Sequence, residues 1–300
     1  MREIYFAGGC FWGTQHFFSQ VDGVTAAVCG YANGNTENPR YEEVYTDTTG
    51  FAETVRVSYD PARIGLPELA ELFFAIIDPL SVNRQGHDEG TRYRTGIYYT
   101  APEERTVLQA IYNREEVKAG APLAVELEPL RNFFPAEERH QDYLDKNPGG
   151  YCHLPLKTFR YLRLYQDIRL FLADEPDTVA RMAEIAALVQ ERMGFFWTGF
   201  YRVDGDSLVL GPFQGPAACL RIGFGKGVCG TAWKERRTQV VPDVEAFPGH
   251  IACSSASKSE IVVPVVRNGA ITAVLDIDSE KTATFDATDA LWLEKIAALV

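Results

Sequence analysis

A potentially reactive thiol stands out in the segment Gly8-Gly9-Cys10-Phe11-Trp12-Gly13. The glycines permit a sharp turn after an apolar strand, and the residues that follow show the apolar spacing of a helix. Cys10 is therefore predicted at a helix N-terminus, where unpaired N–H groups and the helix dipole lower a thiol pKa. This pattern indicates a nucleophile beside aromatic rings, with a buried structural cysteine as the alternative.

The other cysteines are far from Cys10 and from one another along the 300 residues: Cys29, Cys152, Cys219, Cys229 and Cys253. This spacing is not typical of a disulfide scaffold, and in a reducing compartment it indicates catalysis or metal binding. Cys152 follows Asn147-Pro148-Gly149-Gly150-Tyr151, whose glycines would make it mobile. Cys29 lies in an apolar strand and is expected in the core.

Length and composition limit the protein class. Three hundred residues indicate two domains, and 46% hydrophobic residues suffice for two cores. The net charge of −12 opposes binding to nucleic acid or to an anionic membrane. No long apolar segment or Arg-rich leader is visible, so we expect a cytoplasmic protein with small-molecule or protein partners.

Strands alternate with helices in the first half, which predicts a two-layer α+β sandwich that places Glu53 at the start of a strand. The predicted strands cover residues 4–7, 24–29, 53–59, 95–99 and 124–127. The predicted helices cover residues 11–18, 66–77, 102–118 and 136–146.

The second half is predicted to begin with two helices and to continue as a sheet. Asp177 is a plausible cap of the second helix, and Asn268-Gly269 is a strong hairpin signal. The helices are expected at residues 162–172, 177–193 and 286–300. The strands are expected at residues 197–203, 207–210, 218–222, 260–266 and 270–276.

Six motifs of the first half resemble the peptide methionine sulfoxide reductase A family, in the family's order. They are Gly9-Cys10-Phe11-Trp12-Gly13, Gly30-Tyr31-Ala32-Asn33-Gly34, Asn38-Pro39-Arg40-Tyr41-Glu42-Glu43-Val44, Ala52-Glu53-Thr54-Val55, Gln85-Gly86-His87-Asp88-Glu89-Gly90-Thr91-Arg92-Tyr93-Arg94 and His140-Gln141-Asp142-Tyr143-Leu144. The resemblance implies a ferredoxin-like core in a domain of residues 1–157. It also implies reduction of the S epimer of methionine sulfoxide, peptide-bound or free.

The same resemblance implies roles for single residues. Cys10 attacks the sulfoxide sulfur, Glu53 donates a proton to the oxygen, and Cys152 resolves the resulting sulfenic acid as a disulfide. A thioredoxin-like partner then reduces that disulfide, and no bound cofactor is expected. Tyr41 and Tyr93 would hydrogen-bond the sulfoxide oxygen.

Substrate positioning follows from further matches. Asp88 matches an orienting aspartate, while Phe11 and Trp12 would hold the methyl group. Beside these rings Glu53 is expected to be poorly solvated, with a raised pKa. Gln15 departs from the family, which commonly has a glutamate there.

The second half, residues 158–300, resembles the GAF-fold free methionine-(R)-sulfoxide reductases. The motifs that carry this resemblance are Trp197-Thr198-Gly199-Phe200-Tyr201, Leu210-Gly211-Pro212-Phe213-Gln214-Gly215, Gly227-Val228-Cys229-Gly230-Thr231-Ala232, Phe247-Pro248-Gly249-His250-Ile251-Ala252-Cys253, Ser259-Glu260-Ile261-Val262 and Leu275-Asp276-Ile277-Asp278. Cys219, Cys229 and Cys253 fall where that family has cysteines. The resemblance makes Cys253 the nucleophile, Cys219 the resolving thiol and Cys229 accessory.

The acidic residues of this half are implied to bind the free amino acid. A carboxylate cluster of Glu260, Asp276 and Asp278 suits an ammonium ion, and the strand period of two places the aspartates on one face. Trp197 and Tyr201 would pack against the substrate side chain.

Two other hypotheses remain open for the second half. Cys219, Cys229, His250 and Cys253 form a possible zinc set, although their spacing lacks a Cys-x-x-Cys pair and we expect no metal. A GAF module that senses a ligand and regulates the attached reductase is the other alternative.

Overall fold

Two six-stranded sheets organise the chain, one in each of two units, Met1–Leu156 and Lys157–Val300. The computed structural model describes residues 1–251 and 254–300, so the predicted nucleophile Cys253 lies outside the described residues. The predicted α+β class is confirmed. In the described part of the chain, no helix is both long and apolar enough to cross a membrane.

The first unit contains a mixed sheet with the strand order β7-β6-β1-β3-β2-β8. Its strands are β1 (Arg2–Gly8), β2 (Val24–Ala32), β3 (Ala52–Tyr59), β6 (Thr95–Tyr99), β7 (Glu126–Pro129) and β8 (Phe133–Pro135), and a separate hairpin joins β4 (Arg84–Gln85) to β5 (Asp88–Glu89). The helices are α1 (Phe11–Phe18), α2 (Tyr41–Val44), α3 (Leu66–Phe74), α4 (Pro102–Ala119) and α5 (Tyr143–Lys146). Only the β6–β7 pair of this sheet is parallel.

Aromatic packing holds the helices against the central strand β1. The ring of Phe6 stacks on Phe18 of α1 and on Phe73 of α3, with centroid separations of 4.8 and 4.9 Å. All three side chains are fully buried. Burial of such large rings contributes about 1.5–3 kcal/mol each, so α1 is firmly anchored behind the Cys10 turn.

Strand pairing brings Cys10 and Glu53 together. Strand β1 runs antiparallel to β3, with Phe6 opposite Val55. The end of β1, which leads into the Cys10 turn, therefore lies beside the start of β3, which carries Glu53. The predicted place of Glu53 at the start of a strand is confirmed.

The second unit contains an antiparallel sheet with the strand order β11-β10-β9-β14-β13-β12. Its strands are β9 (Trp197–Asp204), β10 (Ser207–Gln214), β11 (Arg221–Gly223), β12 (Gln239–Val241), β13 (Ser259–Arg267) and β14 (Ala270–Ser279). Its helices are α7 (Thr178–Met193), α8 (Gly227–Glu235) and α9 (Ala287–Ala297), and α6 (Leu156–Phe171) begins at the junction of the units.

Two local signals of this unit are confirmed. Asp177 caps α7, because its carboxylate accepts a hydrogen bond of 2.8 Å from the Ala180 N–H. Asn268 and Gly269 have φ angles of 50° and 77° and form the tight turn between β13 and β14. This turn, together with an irregularity between Val265 and Val266, sets the register of the strands that carry the acidic residues.

The helix predicted over residues 136–146 is wrong. Asp142 adopts a φ of 52°, which interrupts the helix and leaves a short 3₁₀ turn followed by α5. The Asp142 N–H donates to Gln15 Oε1 over 2.8 Å. A tertiary hydrogen bond thus replaces the continuous helix that local propensity favoured. Helix α8 and strand β12 were not predicted.

Candidate active sites

Cys10 occupies the N-cap position of α1, as predicted, but it is buried, with 5% of its surface exposed. Burial raises the pKa of its thiol well above the ordinary value, and the charge of Glu53 adds to this increase. The N–H groups of Trp12 and Gly13 act in the opposite direction and are weaker. The expectation of a lowered thiol pKa is therefore wrong, because desolvation outweighs the helix terminus.

Glu53 is fully buried beside Cys10 and accepts a hydrogen bond of 3.0 Å from the Phe11 N–H. Burial raises its pKa to about 8, while this hydrogen bond and the charge of Arg92 limit the increase. The raised pKa agrees with the poor solvation expected from the sequence. Glu53 is thus mainly a neutral carboxylic acid near pH 7.

The hydroxyl groups of Tyr41 and Tyr93 both interact with Glu53. Tyr93 is buried and Tyr41 is half-buried. Burial raises the pKa of both phenols, that of Tyr41 to about 12, and the charge of Glu53 raises both further. Both therefore remain hydrogen-bond donors at neutral pH. The Arg92 guanidinium lies 4.4 Å from the centroid of the Tyr93 ring and makes an ion pair of 2.6 Å with Asp47.

An aromatic stack forms one side of the first site. Trp12 stacks on Tyr143 with a centroid separation of 3.8 Å and lies 5.8 Å from the His140 ring. Phe11 is 1% exposed and lies behind this stack, 5.4 Å from His140. Trp12, Tyr41, His140 and Tyr143 border an open groove. His140 lies within a recognised motif, but the sequence did not suggest a role for it.

Gln15 anchors the turn below this stack. Its side-chain amide donates to the Ala27 carbonyl over 2.9 Å and its oxygen accepts from the Asp142 N–H and from the Cys29 thiol. Gln15 therefore ties α1 to the segment that carries His140 and Tyr143. Cys29 is fully buried, as expected.

The segment around Cys152 folds over the Cys10 turn. The Tyr151 hydroxyl donates to Asp88 Oδ2 over 2.9 Å, and burial raises the pKa of Asp88. Cys152 Sγ lies 3.2 Å from the position that a Cβ on Gly13 would occupy. Cys152 is therefore close to the first turn of α1, and burial raises its pKa as well.

His153, which had no predicted role, lies in the same place. One ligand atom each of Cys10, Asp88 and His153 lies within 4.8 Å of the other two. These three groups could hold a metal ion, but a thiol, a carboxyl group and an imidazole are also the groups that a thiol-based reduction with proton transfer uses. Its position next to Cys152 was the only sequence signal that could have pointed to His153.

The second unit contains a cavity with three carboxyl groups. Glu260 of β13 is directly opposite Asp278 of β14. Asp276 lies two residues before Asp278, on the same face of β14. Burial and mutual repulsion raise the pKa of Glu260 and of Asp276 well above their ordinary values. Burial raises the pKa of Asp278 to about 6, against a hydrogen bond from Ser257.

One thiol and one imidazole lie beside these carboxyls in the described part of the chain. Cys229 Sγ lies 4.0 Å from Glu260 Oε1, and His250 Nε2 lies 3.9 Å from Glu260 Oε2. Burial raises the pKa of Cys229 well above its ordinary value. Cys219 is disulfide-bonded, and its backbone carbonyl accepts a hydrogen bond of 3.0 Å from the Tyr201 hydroxyl. Among the described residues, the metal-compatible group here is Cys229, Glu260 and Asp276, which differs from the zinc set considered above.

The wall of this cavity is aromatic. Trp197 and Tyr201 lie 6.0 Å apart in a stacked arrangement, and the Trp197 indole donates to the Pro216 carbonyl. Phe196 also lines the cavity. No Lys or Arg is among the lining residues in the described part of the chain, so the carboxyl groups have no protein cation there.

Sequence comparison decides the family. Residues 2–168 match the peptide methionine sulfoxide reductase family, and residues 173–300 match the GAF domain. The chain belongs to the peptide methionine sulfoxide reductase family. This reductase is 52% identical over 155 residues to the peptide methionine sulfoxide reductase MsrA of Clostridium acetobutylicum. The aligned region covers 52% of this chain and 96% of that relative.

Solved structures resemble each half of the reductase. One is a free methionine-R-sulfoxide reductase from Neisseria meningitidis, solved in complex with its substrate, which is 55% identical with a TM-score of 0.46. The match covers 46% of this chain and 84% of that chain. Mxr1 from Saccharomyces cerevisiae in reduced form is 40% identical with a TM-score of 0.49, covering 52% of this chain and 91% of that chain.

Proposed function

We propose that the protein is a bifunctional methionine sulfoxide reductase. Its first domain, residues 1–157, reduces the S epimer in peptides or as the free amino acid. Its second domain, residues 158–300, reduces the free R epimer. The observation that carries the first activity is a cysteine next to a buried, neutral carboxylic acid, since reduction of a sulfoxide needs a nucleophile and a proton donor.

In the first domain, Cys10 attacks the sulfoxide sulfur and Glu53 donates a proton to its oxygen. A carboxyl group with a pKa of about 8 is suited to this task at neutral pH, and general acid catalysis contributes about 10²–10⁴ in rate. The Tyr41 and Tyr93 hydroxyls hold the oxygen. Phe11 and Trp12 hold the methyl group.

Regeneration of Cys10 uses a second thiol. The sulfenic acid left on Cys10 condenses with Cys152, releasing water and forming a disulfide. The place of Cys152 beside the α1 turn supports this role. A thioredoxin-like dithiol then reduces the disulfide, and no bound cofactor takes part. We infer a cytoplasmic location from the need for such a reductant.

In the second domain, the carboxyl groups of Glu260, Asp276 and Asp278 recognise the substrate ammonium group. Buried acidic groups without a protein cation are costly to ionise, and a bound cation offsets that cost. Peptide linkage removes the ammonium charge, so this cavity favours the free amino acid. Trp197 and Tyr201 pack against its side chain.

The thiol chemistry of the second domain is assigned from the sequence. Cys253 attacks the sulfoxide, Cys219 resolves the intermediate, and Cys229 is accessory. The hydrogen bond from Tyr201 to the Cys219 carbonyl supports a fixed position for the resolving segment. Cys229 lies beside Glu260.

A ligand-sensing module is the second candidate for this domain, because residues 173–300 match the GAF domain generally. The deciding experiment follows free and N-acetylated methionine sulfoxide, each as separate epimers, with excess dithiothreitol. The bifunctional enzyme reduces both free epimers and the acetylated S form, but not the acetylated R form.

Variants assign these activities to their thiols. Cys10→Ser should abolish turnover of the S epimers and Cys253→Ser that of the free R epimer. Cys29→Ser, which replaces a buried thiol without an assigned redox role by a hydroxyl that can keep the hydrogen bond to Gln15, is the matched control and should leave both rates within about twofold. A parent enzyme without any turnover of the free R epimer would establish the sensing module instead.

A further inference from the structure

The His153 imidazole spans the turn that carries Cys10. Its Nε2 lies 3.7 Å from the Cβ position that a side chain on Gly9 would occupy, and its Nδ1 lies 3.0 Å from that position on Gly13. Both nitrogens are buried, and neither has an aligned hydrogen bond. Buried polar atoms without partners are rare and call for an explanation.

The groups around Cys10 differ in their capacity to accept its proton. Glu53 is already a neutral acid near pH 7, and Asp88 accepts the Tyr151 hydroxyl. Burial lowers the pKa of His153 to about 4, so its ring is neutral. One nitrogen of a neutral imidazole is a proton acceptor. His153 is therefore a neutral proton acceptor within reach of the Cys10 thiol.

A hydrogen bond from the neutral ring to the Gly8 backbone leaves the other ring nitrogen as the acceptor. The backbone of Gly8 favours protonation of the ring, and Nε2 is the nitrogen beside the adjacent Gly9. An N–H on Nε2 directed at the Gly8 carbonyl leaves Nδ1 as the acceptor. Nδ1 lies on the Gly13 side of the turn, where Cys152 Sγ also lies.

We propose that His153 is a proton relay between the two half-reactions of the first domain, which rests on the function proposed for that domain. It accepts the thiol proton of Cys10 as the sulfur attacks. It returns that proton to the hydroxyl group that leaves when Cys152 forms the disulfide. Catalytic contacts in substrate-free enzymes are commonly long, and a separation within 4.8 Å needs only a small movement.

The protons and electrons balance over both steps. In the first step, the Cys10 proton moves to His153, the Cys10 sulfur gives an electron pair to the sulfoxide sulfur, and Glu53 protonates the oxygen. The resulting hydroxyl group bonds to the Cys10 sulfur as its bond to the substrate sulfur breaks. Methionine leaves, and Cys10 becomes the sulfenic acid. In the second step, the Cys152 proton restores Glu53, the disulfide bond forms, and the proton on His153 leaves with the hydroxyl as water.

The test uses the full chain with Cys152→Ser, which confines the first domain to one turnover. Formation of methionine from the free S epimer is measured by rapid quench at pH 7. Adding His153→Gln, which retains much of the side-chain volume but accepts no proton under these conditions, should slow this turnover at least tenfold. His16→Gln is the matched control, because His16 lies in the last turn of α1 and pairs with Asp145.

Chemical rescue separates lost basicity from lost packing. In Cys152→Ser with His153→Ala, added imidazole should restore the rate, whereas pyrazole, a ring of equal size and much weaker basicity, should not. An unchanged rate in His153→Gln, or a loss without selective rescue by imidazole, would overturn the relay. No methionine from Cys152→Ser alone would instead overturn the function proposed for the first domain.

Discussion

At the scale of the residue, Glu53 should determine how the first activity responds to pH. Replacing it by Gln removes the proton donor, so single turnover of the S epimer should slow by about 10² or more at pH 7. The ratio of the parent rate to the variant rate reports the protonation of Glu53 both directly and through Cys10, because ionised Glu53 also raises the pKa of Cys10. We expect this ratio to be constant below pH 8 and to fall above it, because the pKa of Glu53 is about 8. A ratio that stays constant to pH 10 would contradict the assignment.

The same carboxyl group should make the stability of the first unit depend on pH. Its pKa rises from an ordinary 4.5 to about 8 on folding. The neutral acid is therefore favoured in the folded state, and its contribution is complete below pH 4.5, decreases as pH rises and is lost above pH 8. Amide hydrogen exchange of β1 and β3 should show a smaller loss of protection between pH 5 and 8 in Glu53→Gln than in the parent. Equal losses would mean that Glu53 does not ionise in this range.

At the scale of the element, the first turn of α1 leaves space for the Cys152 segment. A Cβ on Gly13 would lie 3.0 Å from the His153 ring and 3.2 Å from Cys152 Sγ, so Gly13→Ala should displace this segment. We expect methionine formation to slow because His153 moves away from Cys10, and disulfide formation to slow about tenfold because Cys152 moves with it. Gly223→Ala in the second unit is the control, since its Cβ would meet only the Lys226 side chain, at 3.4 Å. Thiol titration after one turnover measures the disulfide, and equal rates in both variants would refute this role.

At the scale of the whole molecule, the two domains should divide a racemic substrate between them. Oxidation of methionine gives two sulfur epimers, which need sites of opposite handedness. With excess reductant the parent should remove both free epimers, Cys10→Ser should leave the S form, and Cys253→Ser should leave the R form. A mixture of the two variants should again remove both, because each retains one intact site. Failure of the mixture, read by chiral chromatography, would show that turnover requires both sites in one chain.

Local sequence determined the features that depend on neighbouring residues. The N-cap position of Cys10, the Asp177 cap and the Asn268-Gly269 turn follow from backbone preferences within a few residues, and the structure confirms them. The period of two likewise placed Asp276 and Asp278 on one face of β14. The motifs also identified the family, because each motif contains the side chains that the chemistry needs within a few neighbouring residues.

The tertiary structure alone decided how those groups ionise and which distant groups reach them. Local sequence predicted a lowered pKa for Cys10, but burial under the sheet and helix raises it. Asp142 broke a favourable helix because Gln15, far away along the chain, binds its N–H. His153 acquired a place beside Cys10 only when its segment folded over α1. Desolvation and charge depend on everything within a few ångströms, and most of those neighbours are remote in sequence.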